Sequence, residues 1–314
     1  MTDGRRPAPA GSGPDAAARS SRPLKVGLNL PTVEGTMDGR SAGWADLLAL
    51  ARRAEACGFD SLWVSDHMLV SWQEHTRGVW EGWSLLAALA AATERVELGP
   101  LVSPTVFRNP ALLAKMADTV DEVSGGRLVL GLGAGWDAPE YAAFGYPTDH
   151  RVDRFEEALQ VIVPLLRTGR VDFEGRYYRA RGCELRPRGP RPTGPPILLG
   201  AKGPRIQRLA ATYADHLNVQ GPLRQPSEAV PLRAAADAAC AAVGRDPSTL
   251  GRSASIVVDL SKSPPAEQVA ETLRGYAREG LSLVQVWLSP CTPAGVDAFA
   301  TTLELLDGTS EGGG

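Results

Sequence analysis

Eight short apolar runs alternate strictly with eight longer amphipathic stretches along this chain. The runs lie at 24–30, 60–64, 95–99, 127–131, 196–200, 215–219, 254–260 and 281–288. The stretches lie at about 43–57, 82–93, 109–122, 151–167, 203–212, 227–242, 266–278 and 294–306. The runs have strand length, and the stretches carry apolar residues at helical spacing. Strands always followed by helices pair in parallel through crossovers. Runs that are apolar throughout need both faces covered. Eight such units predict an α/β fold, a single (β/α)8 TIM barrel. A doubly wound open sheet is the competing architecture. The count of eight and the absence of G-x-G-x-x-G after the first run argue against it.

One segment breaks the rhythm. Residues 170–181 (RVDFEGRYYRAR) alternate around Glu174-Gly175 and predict a β-hairpin insertion. Residues 1–23 are rich in Pro, Gly, Ser and Ala, and 308–314 resemble them, so both ends are expected to be flexible tails around a domain at 24–307. A chain of 314 residues accommodates a barrel of ~250 with such additions. A net charge of -3 offers no footprint for nucleic acid. No apolar run approaches the ~18 residues of a membrane span. The basic start leads into no apolar segment, and Cys57, Cys183, Cys240 and Cys291 are widely separated. A cytoplasmic protein with reduced thiols is the expectation.

In such barrels chemistry sits where strands end and βα loops begin. Asn29 closes the first run, Ser65-Asp66-His67 follow the second and Pro100–Pro110 the third. Gly131-Leu-Gly-Ala-Gly-Trp136 follow the fourth and Gly200-Ala-Lys-Gly203 the fifth. Asn218, Gln220, Asp259 and Gln285 lie late in the last three. Loops are often polar and glycine-rich, but that does not account for polar residues inside apolar strands.

These segments carry a resemblance. WVSDH (63–67), LGPLVSPTVFRNPALLAK (98–115), SGGRLVLGLGAGWDAPEYAAFG (124–145) and LLGAKGPR (198–205) resemble the luciferase-like monooxygenase superfamily, in order, from about 24 to 305. Within it they are similar to the actinobacterial branch of coenzyme F-420 (deazaflavin)-dependent oxidoreductases. The resemblance implies a ring-shaped redox cofactor at the barrel mouth, coenzyme F-420 or alternatively FMN, and a homodimer. A separate flavin or F-420 reductase is an expected partner.

His67 matches the histidine that such enzymes place beside the reactive carbon, where an imidazole donates to the ring or relays a proton; a rim histidine bonded to its own loop is the other reading. Asp66 points the opposite way along the strand and is expected to pin the loop. The resemblance places the cofactor against Gly133, Ala134 and Gly135. Trp136 stands where sugar-phosphate-oxidising relatives carry a proton-donating glutamate, which implies an apolar substrate pocket or simple loop packing. Glu140 is expected to anchor a short helix at 139–144. Gly200, Ala201, Lys202 and Gly203 precede a helix starting near Pro204, the arrangement of an anion site, or of an ordinary tight turn. Lys202, Arg205 and Arg208 could line an exit for an acidic cofactor tail. Leu101-Val102 matches a bulge that backs the ring, with or without a cis peptide. Asn29 reaches the substrate or the ring. Trp72, with Trp80, Trp83 and His75, lies on a loop of about 15 residues that could act as a lid or a packing stripe; Trp72 and Trp136 are the substrate-pocket candidates. The expected reaction is hydride transfer between coenzyme F-420 and a small apolar or unsaturated substrate. The alternatives are a reduced-FMN monooxygenase and a flavin-binding barrel without turnover.

Overall fold

Nine strand segments form one all-parallel sheet, and its two ends are pieces of the same broken strand. The computed structural model describes residues 22–72 and 75–308; expectations for 1–21 and 309–314 concern residues outside these. The barrel strands are β1 (Lys25–Asn29), β2 (Ser61–Val64), β3, β4 (Leu130–Gly133), β5 (Ile197–Ala201), β6 (His216–Leu223), β7 (Gly251–Asp259) and β8 (Leu283–Ser289). The third, β3, has two pieces. Glu97–Pro100 pairs with β2, Ser103–Pro104 pairs with β4, and Leu101 and Val102 bulge between them. The Leu98 amide donates to the Arg127 carbonyl (3.0 Å), and the Val129 amide donates to the Leu98 carbonyl (2.7 Å). The sheet therefore closes into the expected TIM barrel, with helices outside.

Local signals explain the boundaries. The helix Pro110–Ser124 begins with Pro110 and is capped by Asn109, whose side chain accepts from the Ala111 and Leu112 amides. Glu81 does the same for Gly82–Ala92 through Trp83 and Ser84, and Thr292 caps Pro293–Asp307. Several strands differ from the expected spans; β6 runs on to Leu223, four residues past the expected end, and for two others the physical reason is plain. The run at 127–131 becomes Leu130–Gly133, because Leu128 makes only an isolated bridge and the ladder to β5 starts at Leu130. β7 starts at Gly251, three residues before the expected run, because its inner face carries Ser253 and Ser255.

The expected insertion is a hairpin of Arg170–Glu174 and Arg179–Glu184. Glu157 pins its turn by accepting from the amides of Arg176, Tyr177 and Tyr178 at 2.8 to 3.0 Å. The long loop after β2 contains a second two-stranded ribbon, Leu69–Trp72 with His75–Gly78. Trp83 belongs to the core, donating to Ser103 Oγ at 3.0 Å. Among the described residues no helix is long and apolar enough to cross a membrane, and all four cysteines are free thiols.

Alternation along each strand divides two cores. Val284 and Val286 of β8 and Ala254, Ile256 and Val258 of β7 join the core between sheet and helices. Leu283 faces inward, where it packs with Trp63, Val129 and Leu198 in a small plug inside the barrel. A polar layer lies above this plug. Asn218 Nδ2 donates to Ser253 Oγ (3.0 Å) and to Gln285 Oε1 (3.1 Å). The plug fills part of the barrel interior with apolar side chains.

Candidate active site

The mouth is built by four strand ends. At the end of β2, opposite side-chain directions separate two adjacent residues. Asp66 is buried and accepts two hydrogen bonds from Arg108, at 2.7 and 3.0 Å; Arg108 also reaches Glu81 at 2.5 Å. Burial pulls the Arg108 guanidinium down, but Asp66 and Glu81 outweigh that and hold it above its ordinary value. Asp66 therefore clamps the segments after β2 and β3 together and does not touch His67.

His67 turns the other way. Its Nδ1 lies 2.8 Å from Oε2 of Glu140, a carboxylate with no solvent exposure. Oε1 of Glu140 accepts the amides of Met68 (2.5 Å) and Leu69 (3.2 Å). Glu140 was expected to anchor the helix that carries it, Ala138–Phe144. Its carboxylate instead leaves that helix and holds the loop after β2, because two backbone amides and the His67 ring converge there. Asp137, also buried, accepts the Ser71 amide at 2.9 Å and fixes the same loop further along. The Trp136 ring, about half exposed, meets the His67 ring edge-on with centroids 5.6 Å apart.

The glycines of β4 make room for neighbours. A Cβ on Gly133 would stand 2.7 Å from Cγ2 of Val102, so the bulge of β3 rests against β4. The Leu101-Val102 peptide is cis, and both side chains pack on the barrel plug. Gly135 has φ +73°, and a Cβ there would fall on the Tyr141 hydroxyl. That hydroxyl points at the Ala134 carbonyl, 3.4 Å away. Burial, with Glu140 and Asp137 nearby, pushes the Tyr141 phenol well above its ordinary range. Arg151 donates to the Gly135 carbonyl at 3.0 Å.

At the end of β5, Gly200 and Ala201 lead to Lys202, which is exposed and meets no carboxylate among the described residues. Gly203 (φ +86°) and Pro204 open the helix Pro204–Tyr213, so the first amides of that helix and the Lys202 ammonium share one end. Arg205, expected to line an anionic exit with them, is engaged elsewhere: it pairs with Asp153 (2.5 Å) and Glu156 (2.6 Å). Arg208 is exposed.

On the floor, Asn29 Nδ2 and Gln285 Nε2 are buried donors with no partner among the described residues. An orphan donor costs about 1–3 kcal/mol unless something accepts from it. Both belong to the inward faces of adjacent strands, β1 and β8. Two wall residues escaped the sequence reading. Val257 (52% exposed) and Trp287 (36%) continue the inward alternation of Ser255 and Gln285 at the open end. The available signal was Trp287 standing two residues beyond Gln285, on the same face. The Trp72 side chain, proposed for the pocket, lies outside the described residues.

Residues 24–283 match the family described as luciferase-like monooxygenase. The chain is 34% identical over 232 residues to the F420-dependent hydroxymycolic acid dehydrogenase of Mycobacterium tuberculosis, covering 73% of this chain and 62% of that protein. It is 36% identical over 176 residues to the pyrimidine monooxygenase RutA of Methylorubrum extorquens, covering 54% and 47%. The chain spans about half to three fifths of the length of the curated relatives it matches. In three dimensions it resembles an F420-dependent secondary alcohol dehydrogenase in complex with an F420-acetone adduct, with a TM-score of 0.76 at 20% identity, over 90% of this chain and 99% of that one.

Proposed function

Because the chain belongs to the luciferase-like monooxygenase family, we propose that it is an oxidoreductase that uses coenzyme F-420 to transfer hydride to or from a small, neutral, largely apolar substrate. The observation that carries this reading is the half-buried His67, held by Glu140 beside the exposed face of Trp136 where β2 and β4 end.

The residues fit such a cofactor. The unpartnered amides of Asn29 and Gln285 suit the carbonyl oxygens of a flavin-like ring. Leu101 and Val102 would back its flat face, and Gly133, Ala134 and Gly135 would lie along its edge. Lys202, with the amides from Gly203 onward, suits a phosphate or phosphodiester. Bound there, a deazaflavin supplies a two-electron hydride carrier. His67 carries the accompanying proton. Trp136, Trp287 and Val257 shed water and favour an apolar substrate body. No unpaired carboxylate among the described residues stands at Trp136 to serve as an acid, which argues against sugar phosphates.

FMN has the same ring and phosphate requirements, and the relationship to the pyrimidine monooxygenase favours it as the second reading. Equilibrium binding of oxidised coenzyme F-420 and oxidised FMN, followed by fluorescence, separates them. Tighter binding of F-420 is expected, weakened about tenfold by Lys202→Ala, a loss of about 1.4 kcal/mol. Preference for FMN would transfer the protein to the oxygen-using branch. Binding of neither would remove the proposal.

A further inference from the structure

We propose that Glu140 is a positioning residue that locks His67 in one tautomer, with Nδ1 protonated and Nε2 bare toward the mouth as a proton acceptor. The inference rests on the reading of His67 as the proton carrier, but its test does not depend on which cofactor binds.

The argument is one of donors and acceptors. Oε1 of Glu140 already receives two backbone N–H groups, from Met68 and Leu69. Oε2 faces Nδ1 at 2.8 Å. An ionised carboxylate only accepts, so the hydrogen on that line belongs to Nδ1. A neutral imidazole has one ring proton, which leaves Nε2 with its lone pair. The nearby carboxylates do not compete: Asp66 is saturated by Arg108, and Asp137 turns to Ser71. Nε2 has no partner among the described residues, and the ring keeps 14% of its side-chain surface open beside Trp136.

The consequence is a fixed place for the proton. A bare Nε2 on the side of the mouth would take up a proton from a bound molecule, and the imidazolium so formed would face the buried Glu140 carboxylate, which compensates the new charge. The reverse reaction would return the same proton.

The test is a long-range proton–nitrogen NMR spectrum of cofactor-free protein labelled with nitrogen-15 histidine. There are four histidines, so the signals lost in His67→Gln identify the residue. The wild type is expected to show a protonated Nδ1 and an unprotonated Nε2. In Glu140→Gln the side-chain amide can donate to Nδ1, so the proton is expected to move to Nε2. Glu140→Asp, which keeps the charge but withdraws it, is expected to fall between the two. A wild-type spectrum with the proton on Nε2 overturns the proposal without any variant. An unchanged tautomer in a folded Glu140→Gln does the same, since a purely structural Glu140 would leave it unmoved.

Discussion

Gly135 shows how one residue ties backbone shape to the site. Its φ of +73° is costly for any side chain, and an added Cβ would lie 1.4 Å from the Tyr141 hydroxyl. Left-handed backbone alone costs an alanine about 1–2 kcal/mol. Gly135→Ala is therefore expected to lose about 3 kcal/mol in urea unfolding, because overpacking adds to the backbone cost. In a Tyr141→Phe background the same substitution should cost less, but still more than the backbone part of about 1–2 kcal/mol, because the new methyl would stand 2.7 Å from the ring carbon Cζ. Equal penalties in both backgrounds would show that the hydroxyl is not what the new methyl meets. This position follows from the G-x-G-x-G run in the sequence, but its reason does not, because Tyr141 approaches from the next helix.

Among the elements, β3 is the strand broken in two, and the break lies at the candidate site. Its two pieces close the barrel on both sides, and the bulge between them projects Val102 over β4 and β5. The break is held from outside by Arg108, which joins Asp66 after β2 to Glu81 at the next helix start. Removing the arginine leaves a buried carboxylate without a counter-charge. Arg108→Ala should destabilise the protein by about 3–5 kcal/mol. Combining it with Asp66→Asn should recover part of that loss, and the double-mutant cycle measures the coupling. Additive losses would mean that the pair acts through separate contacts.

For the molecule as a whole, buried phenols set a limit at high pH. Tyr276 is buried with its hydroxyl unpartnered among the described residues, and burial pushes it up to about 12. Tyr141 is raised in the same direction. A tyrosine in the unfolded chain ionises near pH 10. Because the folded value is the higher one, the stabilising contribution is complete below about pH 10. It is lost as pH rises from there toward 12, where the unfolded chain releases its proton first. The urea midpoint should accordingly fall across that interval. Tyr276→Phe should be neutral or slightly stabilising at pH 7, since it deletes an orphan hydroxyl, and should flatten the alkaline decline. An identical decline in the variant would assign it to other groups.

The alternation of strands and helices, the parallel barrel, the hairpin near 170–181 and the polar rim were legible along the chain. They depend on spacing and on local capping chemistry, which a one-dimensional pattern records. The proximity of Glu140 to His67, 73 positions apart, was not legible, because a buried carboxylate finds its donors only once two βα loops are packed together. Arg205 shows the same limit from the other side: its charge was visible, but its pairing with Asp153 and Glu156 on a neighbouring helix was not. Trp287 was hidden because it extends an otherwise apolar run, and only closure of the barrel gives meaning to the face it shares with Gln285. Residue type and spacing thus decided which elements form and which end of the barrel carries chemistry. Tertiary packing decided which of the available charges remain free to act, since a side chain's partner depends on distance in space.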